Sequence, residues 1–431
     1  MTKTRSRRLR AVTGVVAVGL AMAMAACGGS DGEAAPAVSV GPTGTDDGAK
    51  LTLWTRAPLE KQAKLLVAAY NASHQNQVSL TVVPNDDYVA KVGAAAGASG
   101  LPDLFAADIV YVPNWVKQGL FQDISAQIDG LAFKDQINKG HLDAGTVDGK
   151  EHVLPFVLDL SMLFWNKDLF KEAGLDPDKA PATLAEFAAD AKKIQALKKP
   201  GVYGTATGLN CGGCLVFTWF PSVWASGQQV TNDDGTESLL NGDPAKAIYS
   251  TWRDLWKSGA VLPSSKDEAG PTWTAGFTEG KVGLMPYPAT LLSSTTKFDV
   301  GVAGLPGVDS GASTFVGGDG LGISKDSKHA AQAWNFLSWL MSEDAQVGVL
   351  AKNNDVVSRS DLANNEYSAK DPRVVTINEV AGKGQTPVAL NFQQAFNAPN
   401  SPWLSLVRNA VLGDGSAIDA DNKEITSVLG Q

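Results

Sequence analysis

Between Leu51 and Val82 the apolar residues change period twice. Leu51 and Leu53 alternate with polar neighbours, as do Val78, Leu80 and Val82, whereas Leu59, Ala63, Leu66, Val67 and Tyr70 between them recur at helical spacing. Alternation puts side chains on one face of a strand and a period of about 3.6 puts them on one face of a helix, so the segment reads strand, helix, strand. Further along, Thr183 and Glu186 form a capping box ahead of Leu184, Phe187, Ala188, Ala191 and Ile194, predicting a helix that ends near Pro200 and Gly201. Ala330, Ala333, Trp334, Leu337, Leu340 and Met341 make a second helical stripe. Helices alternating with short strands predict an α/β protein, and neither an internal repeat nor a heptad run competes with that reading.

The first ten residues hold Lys3, Arg5, Arg7, Arg8 and Arg10 without an acid, and an uncharged run from Ala11 to Ala26 precedes Cys27. A basic start and a short apolar middle describe an export signal, and the run is shorter than the roughly 20 apolar residues of a membrane span. Small residues flank the cysteine, Ala25 and Ala26 before it and Gly28, Gly29 and Ser30 after it. The pattern resembles the lipobox of bacterial lipoproteins, which implies that residues 1–26 are removed and that a lipid on Cys27 tethers the chain to the outer face of a membrane. Residues 28–49 lack aromatics and are rich in Gly, Ala, Pro, Ser, Thr and Asp, a composition that predicts a flexible linker with an end-to-end distance of about 25 Å.

Loss of the five basic residues leaves 31 Lys and Arg against 45 Asp and Glu, a formal charge of −14. Such a chain is a poor partner for nucleic acid or an anionic lipid surface. Residues 50–431 suffice for two ordinary domains. Once Cys27 is committed to lipid, Cys211 and Cys214 remain. Outside the cytoplasm an even pair reads first as a local structural disulfide, and the spacing also fits a redox-active dithiol.

The four histidines at 74, 141, 152 and 329 show no metal-ligand spacing, and no nucleophile elbow, zinc-protease motif or nucleotide-binding loop is present. No cofactor is expected. A secreted glycosidase using Asp108 and Asp159 as its carboxylate pair is the enzymatic alternative.

Several segments, taken in order, resemble the extracellular solute-binding proteins of ABC transporters, in the large family that includes maltose-binding proteins. They are Leu51 to Trp54, Leu101 to Asp108 with Trp115 and Gly119, Leu154 to Asp159, Leu163 to Phe170, Phe277 to Met285, and Gly317 to Ile323 with Trp334, Phe336 and Trp339. The sequence departs from the family pattern at Phe164 and Trp165, where a Tyr is usual before Asn-Lys-Asp, and at the Cys211 to Cys214 loop.

The resemblance implies an α/β fold of two lobes, each discontinuous in sequence and joined by a hinge: residues 50–156 with 316–352, and 157–315 with 353–431. It also implies a monomer that takes a sugar or oligosaccharide between the lobes and delivers it to membrane permease subunits, with binding rather than turnover as its activity. A glycerophosphodiester or other polar solute is the alternative ligand.

Sugars offer hydroxyls that donate and accept and C–H faces that lie on aromatic rings, so carboxylates, Arg and Trp are the candidate ligand-binding residues. Trp252, Trp256, Trp334 and Trp339 sit on helical stripes and read as packing. Trp54, Trp219, Trp224, Trp273, Tyr287 and Trp403 read as loop or strand-end aromatics available to a ligand. Asp108 and Asp159 occupy the positions where the family places cleft carboxylates, and Arg56, Asp87, Gly318, Asp319 and Arg359 complete the set.

Overall fold

The computed structural model describes residues 43–295 and 297–431. The export signal and Cys27 lie outside the described residues. Residues 43–49, expected to belong to a flexible linker, are instead held on the body. The buried Asn76 side chain accepts from the backbone N–H groups of Asp47, Gly48 and Ala49 at 3.2, 3.2 and 3.0 Å, and Thr45 N donates to Ala331 O at 3.0 Å. Three backbone donors met by one acceptor fix a segment whose one apolar residue is Ala49.

The opening forms as the periodicity predicts: strand β1 (Lys50–Arg56), a helix over Glu60–Ser73 and strand β2 (Gln77–Val83), paired in parallel with β1. Strand β3 (Leu104–Asp108) lies parallel to β1 on its other side. The next long strand, β4 (Val153–Asn166), runs through both halves of the molecule. Strands β5 (Tyr203–Thr205), β6 (Val282–Pro288), β7 (Val300–Ala303) and β8 (Val316–Ile323) complete the sheet path β2-β1-β3-β8-β4-β6-β5, with β7 also paired to β4.

Val153 to Leu160 of β4 pair with β8, whereas Ser161 to Asn166 pair with β6 and β7. Partners therefore change between Leu160 and Ser161, and an apolar cluster forms beside each part of the path while a third, larger one joins Phe105 and Val153 with Trp165 and Trp219 from both. Leu53, Leu66 and Tyr70 pack with Trp334, Phe336 and Leu337 in one. Phe164, Phe277, Met285 and Val302 pack in another beside the far end of β4.

The helix Leu184–Gln195 is capped as its sequence indicates, Thr183 Oγ1 accepting from Glu186 N at 3.1 Å and Glu186 Oε2 accepting from Ala182 N at 2.8 Å. Its end falls before the expected Pro200, because Lys198 already adopts a positive φ of 53°. Among the described residues no helix is long and apolar enough to cross a membrane.

Candidate functional site

A cavity of about 880 Å³ opens beside the point where β4 changes partners. The ends of β1 and β3, the middle of β4 and the start of β8 supply Arg56, Asp108, Asp159 and Gly318 to its wall. Strand ends in α/β sheets are where ligands are usually received, because loops there can diverge to make room.

Arg56 leaves β1 with its guanidinium between two carboxylates. Its Nε donates to Asp319 Oδ1 and Oδ2 at 2.9 and 3.1 Å, its Nη2 also pairs with Asp319, and Nη2 lies 3.1 Å from Asp108 Oδ2. Burial by itself would favour the neutral guanidine, but Asp108 and Asp319 outweigh it and hold the pKa above its ordinary value. Asp319 is fully buried and reaches Arg56 because the register of β8 against β4 shifts between Asp319 and Gly320. Just before it, Gly318 has φ 97°, and a Cβ there would sit 1.9 Å from Val157 O, so only glycine fits. Gly317 presents its carbonyl to His141 Nε2 at 2.9 Å. That histidine is wholly buried, and burial pushes its pKa down to about 4, so it stays neutral.

Asp159 lies opposite Gly317 in the β4–β8 pairing. Burial drives its pKa up to about 7, with nearby Arg56 opposing the rise and Asp108 adding to it. On the same side Trp273 and Tyr287 form an edge-to-face pair with centroids 4.6 Å apart. The loop that carries Trp273 is tied by Glu268, whose Oε1 accepts from Gly270 N at 2.7 Å. The disulfide between Cys211 and Cys214, with Cα atoms 5.2 Å apart, closes the start of the helix Gly212–Ala225. Gly213, Cys214 and Phe217 bring that helix to the cavity wall.

The opposite wall comes from beyond residue 350. Asp355 accepts from Gln62 Nε2 at 2.9 Å, and Asp371 pairs with Arg373 through Nε at 2.9 Å and Nη2 at 2.7 Å. Asn378 and Asn397 also line the space. At one edge the Tyr111 hydroxyl donates to Gln393 Oε1 at 2.8 Å, and burial lifts the Tyr111 pKa to about 12. Among the described residues no group of His, Cys, Asp and Glu side chains is arranged to hold a metal ion.

The amino-acid sequence of residues 56–347 matches the family described as bacterial extracellular solute-binding protein. The chain belongs to this family. Among relatives of this solute-binding protein, the diacetylchitobiose binding protein DasA of Streptomyces coelicolor is 26% identical, over 96% of both chains. A binding protein of Brucella abortus is 28% identical over 62% of this chain, and the match spans 65% of that relative's length. Two solved structures share the fold. The cyclic alpha-maltosyl-1,6-maltose binding protein of Arthrobacter globiformis superposes with a TM-score of 0.74 at 23% identity, covering 89% of this chain and 100% of that one. The sugar-binding protein MalE of Xanthomonas citri gives 0.77 at 18% identity, covering 89% and 96%. Both establish an α/β periplasmic-binding-protein fold of two lobes.

Of the residues singled out in the sequence, Arg56, Asp108, Asp159, Trp273 and Gly318 meet at the cavity, with Asp319 and Tyr287 directly behind them. The others lie elsewhere. Trp54 lies under Lys91, whose Nζ is 4.5 Å from its ring centroid, and Asp87 is exposed on the neighbouring helix Asn85–Gly97. Arg359 is used up by the fold, donating to Met341 O at 2.8 Å and Asp361 Oδ1 at 3.0 Å with Phe133 beneath it.

Trp219 and Trp224, expected on a loop, belong to a helix that tolerates Pro221 in its interior, and both are buried. Trp219 stacks on Trp252 with centroids 5.2 Å apart, and Trp224 packs against Phe315. Trp403 follows Pro402 at the start of the helix Pro402–Leu412, where proline is favoured, and its indole donates to Gly212 O at 3.2 Å.

Sequence reasoning passed over Gln62, Tyr111, Phe217, Asp355, Asp371, Arg373, Asn378 and Asn397. Asp371 directly before Pro372 carries an N-cap signal that could have drawn attention to it. The remaining seven sit on ordinary helical or loop sequence, and only the fold gathers them.

Proposed function

We propose that this solute-binding protein captures a sugar or oligosaccharide in the cavity beside β4 and hands it to the permease of an ABC importer, while a lipid on Cys27 keeps it at the extracytoplasmic face of the membrane. The observation that carries the reading is the meeting of Arg56, Asp108, Asp159 and Trp273 on one roomy cavity. Carboxylates and a guanidinium in fixed orientation suit vicinal hydroxyls, and an indole suits the C–H face of a pyranose. The relative that aligns over 96% of the chain is named for diacetylchitobiose, which supports a glycan ligand.

The lobes, taken as residues 50–156 with 316–352 and 157–315 with 353–431, close as the ligand bridges them. Closure follows because only the closed form makes contacts on both walls. Asp108 and Asp159 act in this reading as acceptors of hydroxyl protons and hydrolyse nothing. A phosphodiester suits the cavity poorly, because Arg56 and Arg373 already hold carboxylates of their own.

A thermal-shift screen of the purified protein against mono-, di- and oligosaccharides, glycerophosphodiesters, amino acids and polyamines tests the proposal. One sugar class at about 100 times its dissociation constant should stabilise the fold by roughly 2.7 kcal/mol. A response confined to phosphodiesters or polyamines would overturn the sugar assignment, and release of free monosaccharide would overturn binding without turnover.

A further inference from the structure

The bridge between Cys211 and Cys214 closes a ring with a sequence separation of 3. A bond across so short a loop removes little freedom from the unfolded chain compared with one that spans many residues, so what it offers is the shape of its own surroundings. It sits at the start of the helix Gly212–Ala225, where Cys211 Sγ accepts from Cys214 N at 3.1 Å in place of the oxygen that usually caps a helix. The pair folds over Gly208: Cys211 N donates to Gly208 O at 3.2 Å, and a Cβ on Gly208 would lie 3.3 Å from Cys214 Cβ. Both cysteines are half-buried, and Cys214 reaches the cavity wall, where it packs against the apolar cluster that contains Trp273.

The chain just before the bridge is tied to the loop that carries Trp273. Thr207 N donates to Ser265 Oγ at 3.1 Å, Leu209 N to Ser265 O at 2.9 Å and Asn210 N to Glu268 O at 3.0 Å. Glu268 is buried and passes the tie on: its Oε1 accepts from Gly270 N and Thr272 N at 2.7 and 3.3 Å, and its Oε2 accepts from Thr272 Oγ1. Trp273 follows directly, its backbone N–H donating to Gly270 O at 3.2 Å and its ring edge-to-face with Tyr287. Gly270 itself passes so close that a Cβ there would lie 3.8 Å from Cys214 Sγ. Two routes therefore run from the bridge to the indole, one by packing through Cys214 and one by hydrogen bonds through Asn210 and Glu268. A ring already held toward the cavity binds a sugar face more tightly than one that must be ordered on arrival.

We propose that the Cys211–Cys214 disulfide is a positioning element for the Trp273 platform, so that glycan affinity depends on the bond being intact. The inference rests on the sugar-binding reading and gives the bridge a part in it. Breaking the bond takes two electrons and two protons, which a dithiol such as dithiothreitol supplies as it closes into its own cyclic disulfide, leaving a thiol on Cys211 and on Cys214. The freed segment then no longer fixes Asn210 N against Glu268 O, and the loop from Ser265 to Trp273 samples more positions.

Isothermal titration of the intact protein with maltotetraose, cellotetraose and N,N′-diacetylchitobiose, before and after reduction by dithiothreitol and again in Cys211→Ser/Cys214→Ser, reads the effect on binding. Hydrogen exchange followed by mass spectrometry reads the effect on the loop. Affinity for the glycan that binds should fall about fivefold or more on reduction and in the variant alike, and return on reoxidation. The amides of Gly270 and Thr272 should exchange about tenfold faster or more, while those of β3 keep their protection. Unchanged affinity, or unchanged exchange at Gly270 and Thr272, would overturn the inference and leave sugar binding intact. Faster exchange throughout, β3 included, would overturn it too, because the bridge would then support the whole body and not the platform. If none of the three glycans binds the oxidised protein, the inference falls; the sugar reading falls with it only if every sugar in the thermal-shift screen is silent.

Discussion

Two charged groups on the cavity were assembled by opposite rules. In the first, Arg56 is buried with Asp319 and Asp108 in a network in which the guanidinium is satisfied before any ligand arrives. Beside it Asp159, partly exposed on the same cavity, has a carboxylate without an ion pair among the described residues. The first arrangement spends its polar groups on holding strand ends in place. The second leaves a carboxylate on the cavity wall that a ligand can meet, which suits binding more than scaffolding.

The contrast predicts large stability losses from the first group and affinity losses from the second. Asp319→Ala should cost about 3 to 5 kcal/mol in urea unfolding, because it leaves the buried Arg56 Nε without its acceptor and the guanidinium with Asp108 alone. A cost under about 1 kcal/mol would show that Arg56 escapes to water and that the network is not structural.

His141 sits under the same strand. Replacing it with alanine should cost about 2 to 4 kcal/mol by opening a void and leaving Gly317 O without its donor. Its depressed pKa of about 4 against an ordinary 6.5 means that the unfolded chain binds the extra proton, so its contribution is present above pH 6.5 and is lost as pH falls toward 4. Chemical unfolding as a function of pH should show that loss in the wild type and not in His141→Ala.

Asp159 should behave in the opposite sense. Its carboxyl is raised to about 7 from an ordinary 3.8, so the native state holds the proton more tightly and stability falls as pH climbs from 3.8 through 7. Asp159→Asn should therefore stabilise the free protein at pH 8 by on the order of 2 kcal/mol and have little effect near pH 4. A destabilised variant at pH 8 would place Asp159 with the first group.

How much of this could be read in the sequence depends on which principle each residue obeys. The opening strand, helix and strand, the Thr183 cap and the Ala330 stripe were legible because period and capping are local. Arg56, Asp108, Asp159 and Gly318 were singled out through the family resemblance together with their places at strand ends or in the Gly-rich segment. The tryptophans divided differently. Trp219 and Trp224 follow the Cys211 to Cys214 loop and Trp403 is flanked by Pro402, which suggested loops, but Pro402 starts a helix and Pro221 is carried inside one.

Arg359 could not be told from a ligand-binding arginine without knowing that Phe133, Met341 and Asp361 surround it. Gln62, Asp355 and Asn378 were invisible for a different reason. What distinguishes them is an oxygen left unbonded across nearly 300 residues of intervening chain, a property of the packed molecule and of no local pattern.

The most direct measurement is calorimetric titration of the strongest glycan from the screen into the wild type and into Asp159→Ala. The account predicts a single site per chain whose affinity falls at least tenfold in the variant, with an unfolding midpoint at pH 6 no lower than that of the wild type. An unchanged affinity in Asp159→Ala would contradict it, because the ligand would then be bound somewhere other than the cavity beside β4.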